Sequence, residues 1–221
     1  MSELSSKWSR QEWQENWTLL KSSFKAPSQE PPEPMMMERL GAEVQAWPLH
    51  RTTNGTYRLR MATWADLNHF VDLEIKGYEG YVAWDLADFH TDWQQNPYGL
   101  YLMMESMADQ KPVGILVGRL RHKGAHLSHL IIDPAHQRQG LADALLDCFL
   151  SLSHGQGIRL ASLEVRQSNK PAQHLYQKHG FVIQHELPNY YQQNKESAYY
   201  MACILRQAAF IRRNEDDSVK P

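Results

Sequence analysis

Apolar residues recur along the chain with a helical period in some stretches and a two-residue period in others. Trp13, Trp17, Leu20 and Phe24 fall three or four apart, which predicts a short amphipathic helix over residues 6–24. Four of the eleven prolines then crowd into Pro27–Pro34, a composition that favours an extended linker over a core element. Residues 35–56 are ambiguous and are assigned to no element. Tyr57–Met61 alternates as a strand. Thr63 and Asp66 then frame a capping-box-like start for a helix carrying Leu67, Phe70, Val71, Glu74 and Ile75 to about Lys76. A second helix is predicted over Trp84–Gln95, ended by Asn96-Pro97.

The next stretch reads as sheet. Gly99–Glu105 and Val113–Leu120 make a hairpin around a polar turn holding Asp109 and Gln110, and Lys123-Gly124 turns the chain into a third strand, His126–Asp133. A long helix follows from Gly140 to Ser153, with Leu141, Leu145, Phe149 and Leu152 on one stripe and His154-Gly155 as its stop. Arg159–Arg166 alternates apolar Leu163 and Val165 with Ser162, Glu164 and Arg166. A short helix over Pro171–His179 closes at Gly180, and Phe181–Glu186 and Ala198–Leu205 supply two last strands. The order β-α-α-β-β-β-α-β-α-β-β predicts an α/β fold, a mixed sheet with helices on both faces. Residues 1–26 read as a helical extension, 27–56 as a Pro-rich linker and connecting segment, 57–206 as the globular domain and 207–221 as a polar tail.

Composition narrows the function classes. The 221 residues are 42% hydrophobic and 22% charged, ordinary for a globular chain. Twenty-three Lys+Arg against twenty-five Asp+Glu leave a net charge of −2, so no overall basic field recruits nucleic acid or an anionic membrane. The two cysteines, Cys148 and Cys203, sit in apolar runs and are too few for a disulfide scaffold or a cysteine zinc site. No stretch approaches 18 apolar residues, and the N-terminus lacks a signal-type apolar core, so the cytoplasm is the expected compartment. Three of the seven tryptophans fall in the first 17 residues, so that helix must dock, either on its own domain or on a partner.

Two segments carry candidate chemistry. In Ile131–Ala142 a strand ends, a turn follows and a helix opens with Gly140 and Ala142 in its first turn. Small residues there let an anionic ligand meet the unpaired N–H groups at the helix start, and Arg138 adds a cation; the plain alternative is a tight strand–helix connection. The GxGxxG and Gly-Lys-Ser/Thr patterns are absent. Downstream, Glu164 projects from the polar face of its strand and Tyr176 follows on the next helix, a carboxylate and a phenol able to serve as base and acid. Read alone they are equally a solvated strand glutamate and a core tyrosine. His122, His126, His129 and His136 lie close in sequence without a paired-ligand spacing, so no metal is predicted.

Together these segments closely resemble the GNAT superfamily of acyl-CoA-dependent N-acetyltransferases. Gln137-Arg138-Gln139-Gly140-Leu141-Ala142 matches its pyrophosphate motif Q/R-x-x-G-x-G/A, and the element order agrees over residues 57–205. Within the superfamily, LEVRQSN (163–169), LYQKHGF (175–181) and Asn189-Tyr190-Tyr191 are most similar to the bacterial enzymes that acetylate the N-terminal alanine of ribosomal protein S18. The resemblance implies a mostly antiparallel sheet, acetyl-CoA as co-substrate, and a protein N-terminal α-amine as acceptor. It implies Glu164 as general base and Tyr176 as general acid. Leu130, Ile131 and Ile132 would line the acetyl-CoA strand, Gln137, Arg138, Gln139, Gly140, Leu141 and Ala142 would hold the pyrophosphate, and Asn169 would bind the pantetheine arm. Tyr190 and Tyr191 would border the acceptor groove, and Trp84 either covers it or packs in the core. Leu187-Pro188 stands where the family often carries arginines, and residues 1–55 lie outside the domain. A monomer or homodimer is expected. The alternatives are a lysine or small-molecule amine as acceptor, with Asp85, Asp88 and Asp92 as the acidic residues a polycation would need, or a non-catalytic acyl-CoA-binding module.

Overall fold

The computed structural model describes residues 34–77, 83–191 and 194–205, with no side chain before Arg39; the helix expected over 6–24, the linker as far as Glu33 and the tail 207–221 lie outside the described residues. The chain runs α1 (Pro34–Gln45), β1 (His50–Thr52), β2 (Gly55–Met61), a 3-10 turn (Trp64–Asp66), α2 (Leu67–Gly77), α3 (Leu86–Gln95), β3 (Gly99–Ser106), β4 (Pro112–Arg121) and β5 (Gly124–Ile132). A second 3-10 turn (Pro134–His136) leads to α4 (Leu141–Gly155), β6 (Leu160–Arg166), α5 (Lys170–Lys178), β7 (Val182–Tyr191) and β8 (Glu196–Ile204). The eight strands form one sheet in the order β1-β2-β3-β4-β5-β6-β8-β7. Every neighbouring pair is antiparallel except β5 and β6.

Period-2 alternation sends each strand's residues to opposite faces, and helices cover both. On one face α2 and α3 bring Leu67, Phe70 and Phe89 against Tyr101, Met103, Ile115, Val117 and Ile131. On the other, α1, α4 and α5 pack Leu40, Val44, the Leu141–Leu145–Phe149–Leu152 stripe and Tyr176 on Leu116, Leu120, Leu127 and Leu163. All eight residues of β3 are buried, as expected of a strand covered on both sides.

Four differences from the sequence reading have identifiable causes. The described part of the 27–56 connecting segment is folded: Leu40 and Val44, one helical turn apart, are 1% and 0% exposed in α1, and His50–Thr52 pairs with Gly55–Tyr57 as a hairpin. Here tertiary burial overrides a weak local pattern. The second helix starts at Leu86, because Asp85 accepts from the Asp88 N–H as its cap and leaves Trp84 in the preceding loop. The long helix runs to Gly155, and Gly157 (φ 75°) supplies the left-handed residue beyond it. Finally, β7 continues past Pro188 to Tyr191, a register shift leaving Pro188–Tyr190 without register partners before Tyr191 pairs with Glu196.

Candidate functional site

The site begins with a fault in β5. Val117 pairs with His129 but the next residue, Gly118, pairs with Leu127, so Ser128 is the extra residue of a β-bulge. The bulge reverses the phase of the strand. Leu127 and Leu130 both pack with α4, and His126 and His129, three apart, both face the α2/α3 side. It also ends the pairing with β6, which covers only Ala125–Leu127 against Ala161–Leu163. Among the described residues, β5 has no strand on that edge from Ser128 onward, and β6 has none on the facing edge from Glu164 onward. The two parallel strands therefore open like a V, with unpaired backbone N–H and C=O groups lining the β5 arm.

Glu164 stands at the vertex on the α2/α3 face, 20% exposed. Its Oε2 is 3.3 Å from His126 Nε2, and His126 Nδ1 is 3.1 Å from Ser162 Oγ. Tyr200, opposite Glu164 on β8, packs against this group. Burial, opposed by a hydrogen bond with Ser162 and reinforced by the Glu164 charge, pushes its phenol up to about 12. Tyr190, half-exposed on β7, is raised by burial and by the same carboxylate. Tyr191 instead lies under the Arg166 guanidinium, 3.7 Å from its ring centroid. The polar patch on this face thus unites Glu164 with Tyr190 and with His126, which the sequence reading had not singled out as a site residue.

Tyr176 occupies the opposite face. It is 7% exposed on α5, packed beside Phe181 within the α4 cluster. Asn169 caps α5, its side-chain oxygen accepting the Ala172 N–H at 3.1 Å. Ile132 and Leu130 face the α4 side and Ile131 the α2 side, so the open arm of β5 presents an apolar wall on both. The carboxylate and the phenol therefore lie on opposite faces of the sheet.

The glycine segment is a tight left-handed turn into α4. Arg138 (φ 60°) and Gly140 (φ 77°) are both left-handed, and no side chain caps the first turn of α4, so its leading N–H groups are not satisfied by a side chain. Gln137 donates to the Ile132 carbonyl at 3.2 Å and fixes the turn to the end of β5. The hairpin of β1 and β2 braces the same turn. His50 Nε2 is 2.8 Å from the Gln139 carbonyl, and Thr52 and Tyr57 hydroxyls reach Gln139 Oε1 at 3.1 and 3.0 Å. A Cβ on Gly140 would meet the His50 ring at 3.3 Å. Leu141 anchors the helix start in the core at 1% exposure, and Ala142 packs at its rim.

On the α2/α3 side, Trp84 lies 4.6 Å from the His129 ring and packs on Phe89. It also borders a cavity of about 650 Å³ lined by Asp88, Asp92, Tyr98, Arg119 and Arg121. Trp84 is thus half-buried, packed on one side and bordering the cavity on the other. The acidic residues there are engaged: Asp85 and Asp88 cap α3 reciprocally, and Asp92 binds Arg119 at 2.8 Å and the Tyr101 hydroxyl. Among the described residues no group of three or more His, Cys, Asp or Glu side chains is placed to hold a metal, and no helix is long and apolar enough to cross a membrane.

The acetyltransferase (GNAT) family profile matches residues 60–181, from β2 through α5. A Bacillus subtilis (strain 168) protein named as a candidate [ribosomal protein bS18]-alanine N-acetyltransferase is 31% identical over 142 residues, 64% of this chain and 91% of that protein. The Escherichia coli (strain K12) [ribosomal protein bS18]-alanine N-acetyltransferase is 33% identical over 104 residues, 46% of this chain and 70% of that one. The crystal structure of the Escherichia coli ribosomal-protein-S18-alanine N-acetyltransferase superposes with a TM-score of 0.62 at 25% identity, covering 68% of this chain and 95% of that chain. The chain belongs to the GNAT family of acetyltransferases.

Proposed function

We propose that this chain transfers the acetyl group of acetyl-CoA to a protein N-terminal α-amine, the acceptor being the N-terminal alanine of ribosomal protein S18. The observation that carries the reading is the V between β5 and β6, with Glu164 on one face and Tyr176 on the other. Such an opening admits a thioester from the α4/α5 side and an amine from the α2/α3 side, so the two meet in line. The uncapped start of α4, with Gly140 and the braced Gln139, fits a pyrophosphate at the α4 end of the V.

Each residue's role then follows from charge. Glu164 receives a proton from the amine nitrogen during attack. Unpaired N–H groups on the Leu130–Ile132 arm meet the oxygen where negative charge develops. Tyr176 supplies a proton to the departing sulfur, and Asn169 flanks the pantetheine arm where α5 begins. Tyr190, Tyr191 and Trp84 border the acceptor groove. An α-amine, with a reference pKa of about 7.7–8.0, is roughly 10% free base at pH 7, whereas a lysine amine near 10.4 is about 0.04% free. The α-amine asks less of the site. The engagement of Asp85, Asp88 and Asp92 by caps and by Arg119 also removes the free acidic patch that a polyamine acceptor would need.

The test is mass spectrometry after incubation with acetyl-CoA and a peptide bearing the mature S18 N-terminus, beside an Nα-blocked copy that keeps its lysines. Acetylation of the free N-terminus alone supports the reading. Modification of the blocked copy, or of a small amine in preference to the peptide, removes it.

A further inference from the structure

A second carboxylate–imidazole pair lies on the acceptor side of the V and has no part in the scheme above. Glu74, 0% exposed on α2, places Oε1 2.7 Å from His129 Nδ1. Its Oε2 accepts the Ala83 N–H at 2.9 Å, so both carboxylate oxygens are engaged and the acid has a fixed orientation. A carboxylate beneath the core stripe of Leu67, Phe70 and Leu73 is costly unless it is paired.

The arrangement fixes a tautomer. An ionised Glu74 accepts only, so His129 donates through Nδ1–H and the Nε2 lone pair points away from Glu74. Nε2 has no hydrogen-bond partner among the described residues. It is also not one of the buried polar atoms left without a partner, so it retains the small exposure of the ring. His129 stands one residue beyond the bulge, on the unpaired arm of β5, and faces the same side as Glu164. Trp84 and Phe89 hold the ring from the loop and from α3, and Val117 is its neighbour on β4. Charged groups on that face are paired elsewhere, Arg119 with Asp92 and Glu164 with His126.

We propose that His129, held in its Nδ1–H form by Glu74, is a second catalytic base that takes the first proton from the acceptor ammonium through Nε2. The inference rests on the reading that an α-amine is the acceptor. The balance is simple. One N–H proton passes from the ammonium to Nε2, giving an imidazolium beside the Glu74 carboxylate, and later returns to solvent. The free amine forms the N–C bond to the thioester carbon, and the C–S bond breaks. The second nitrogen proton leaves toward Glu164 and is matched by the proton that the departing thiolate gains. The division suits the two bases, because the starting ammonium is a weak acid and the nitrogen after attack is a strong one. His129 prepares the nucleophile and Glu164 completes the transfer.

Kinetics and a ligand-free spectrum test this together. In the wild-type chain a long-range proton–nitrogen spectrum should show His129 protonated at Nδ1 only near neutral pH, and Glu74→Gln should mix the tautomers. With the S18 peptide, His129→Gln should lower kcat/KM for the acceptor by about 10²-fold while acetyl-CoA affinity by calorimetry stays within twofold. Its rate should keep rising with pH until the amine is free on its own, whereas the wild type levels off earlier. His129→Ala should regain rate on addition of imidazole, a response that a purely structural histidine would not give. If the wild type acetylates the peptide while His129→Gln keeps its rate and pH profile, the proposal falls alone. If the wild type acetylates no α-amine, the reading beneath it falls as well.

Discussion

His126 Nε2 lies 3.3 Å from Glu164 Oε2 while His126 Nδ1 lies 3.1 Å from Ser162 Oγ. The ring thus bridges Ser162 and the carboxylate and orients Glu164 at the vertex of the V. His126→Ala is expected to lower kcat about tenfold, the loss of one charge-assisted hydrogen bond of about 1.5 kcal/mol. His126→Gln, which keeps an N–H donor, should lose less, and the KM for acetyl-CoA should move less than twofold in both. Steady-state kinetics decide it. Full kcat in His126→Ala would show that the pairing does not position the base.

Glu164 and Tyr176 belong to opposite faces of one sheet, so their removal should separate kinetically. Glu164→Gln is expected to lower kcat by about 10²-fold or more, with a loss that narrows as pH rises and the amine becomes free without help. Tyr176→Phe keeps the ring against Phe181 and removes only the hydroxyl. It should lower kcat by about tenfold to a hundredfold without that pH recovery, because the leaving sulfur needs its proton at every pH. A pH series on each variant provides the check, and identical profiles for the two would contradict the assignment of base and acid.

Much of this site was legible from residue pattern because its parts are local. Gly140 at a strand–helix junction and the short α5 closed by Gly180 are set within a few residues, and both appear where the pattern puts them. The succession of strands and helices from β2 to β8 followed from alternation and turns. The missed residues depend on long-range contacts. Glu74 sits on the apolar stripe of α2, an incongruity visible in the sequence, but its partner is 55 residues away. The bulge left no trace in the alternation, since buried positions fall at 125, 127, 129 and 131 as in an unbroken strand. Without the bulge, His126 and His129 would read as facing opposite sides. The hairpin at His50–Thr52 lacked any local signal, because its residues are explained by what they touch on Gln139.

That hairpin gives a prediction outside the region matched by the family profile. His50 donates to the Gln139 carbonyl and fills the space beside Gly140, so it holds the turn rather than any reacting group. His50→Ala is expected to raise the KM for acetyl-CoA about fivefold, matching the loss of one neutral hydrogen bond of about 1 kcal/mol, with kcat within twofold. Gly140→Ala should weaken binding further. It forces a Cβ into a φ of 77° and against the His50 ring at 3.3 Å. Calorimetry with CoA measures both, and unchanged affinity in His50→Ala would show that the turn keeps its shape unaided.

The last prediction concerns stability at low pH. Arg60 grips Asp66 with two hydrogen bonds of 2.8 and 2.9 Å, and the Thr63 N–H and hydroxyl add contacts of 2.7 and 2.8 Å. The Arg60 bonds chiefly, against an opposing burial effect, hold the Asp66 carboxyl well below the usual carboxylate range. A carboxylate more acidic in the folded than in the unfolded chain stabilises the fold above the unfolded value of about 3.9, and that contribution is lost as pH falls below it. Asp66→Asn keeps the shape of the turn but faces Arg60 with an uncharged amide. It should cost about 2 kcal/mol at pH 7, a Tm lower by about 4–8 °C for a chain of this length. The difference between variant and wild type should shrink steadily from about pH 4 to pH 2, because the wild type loses there what the variant never had. Thermal melts across that range measure it. A gap that stays constant with pH would mean that Asp66 acts through packing alone and that its charge is not what ties β2 to α2.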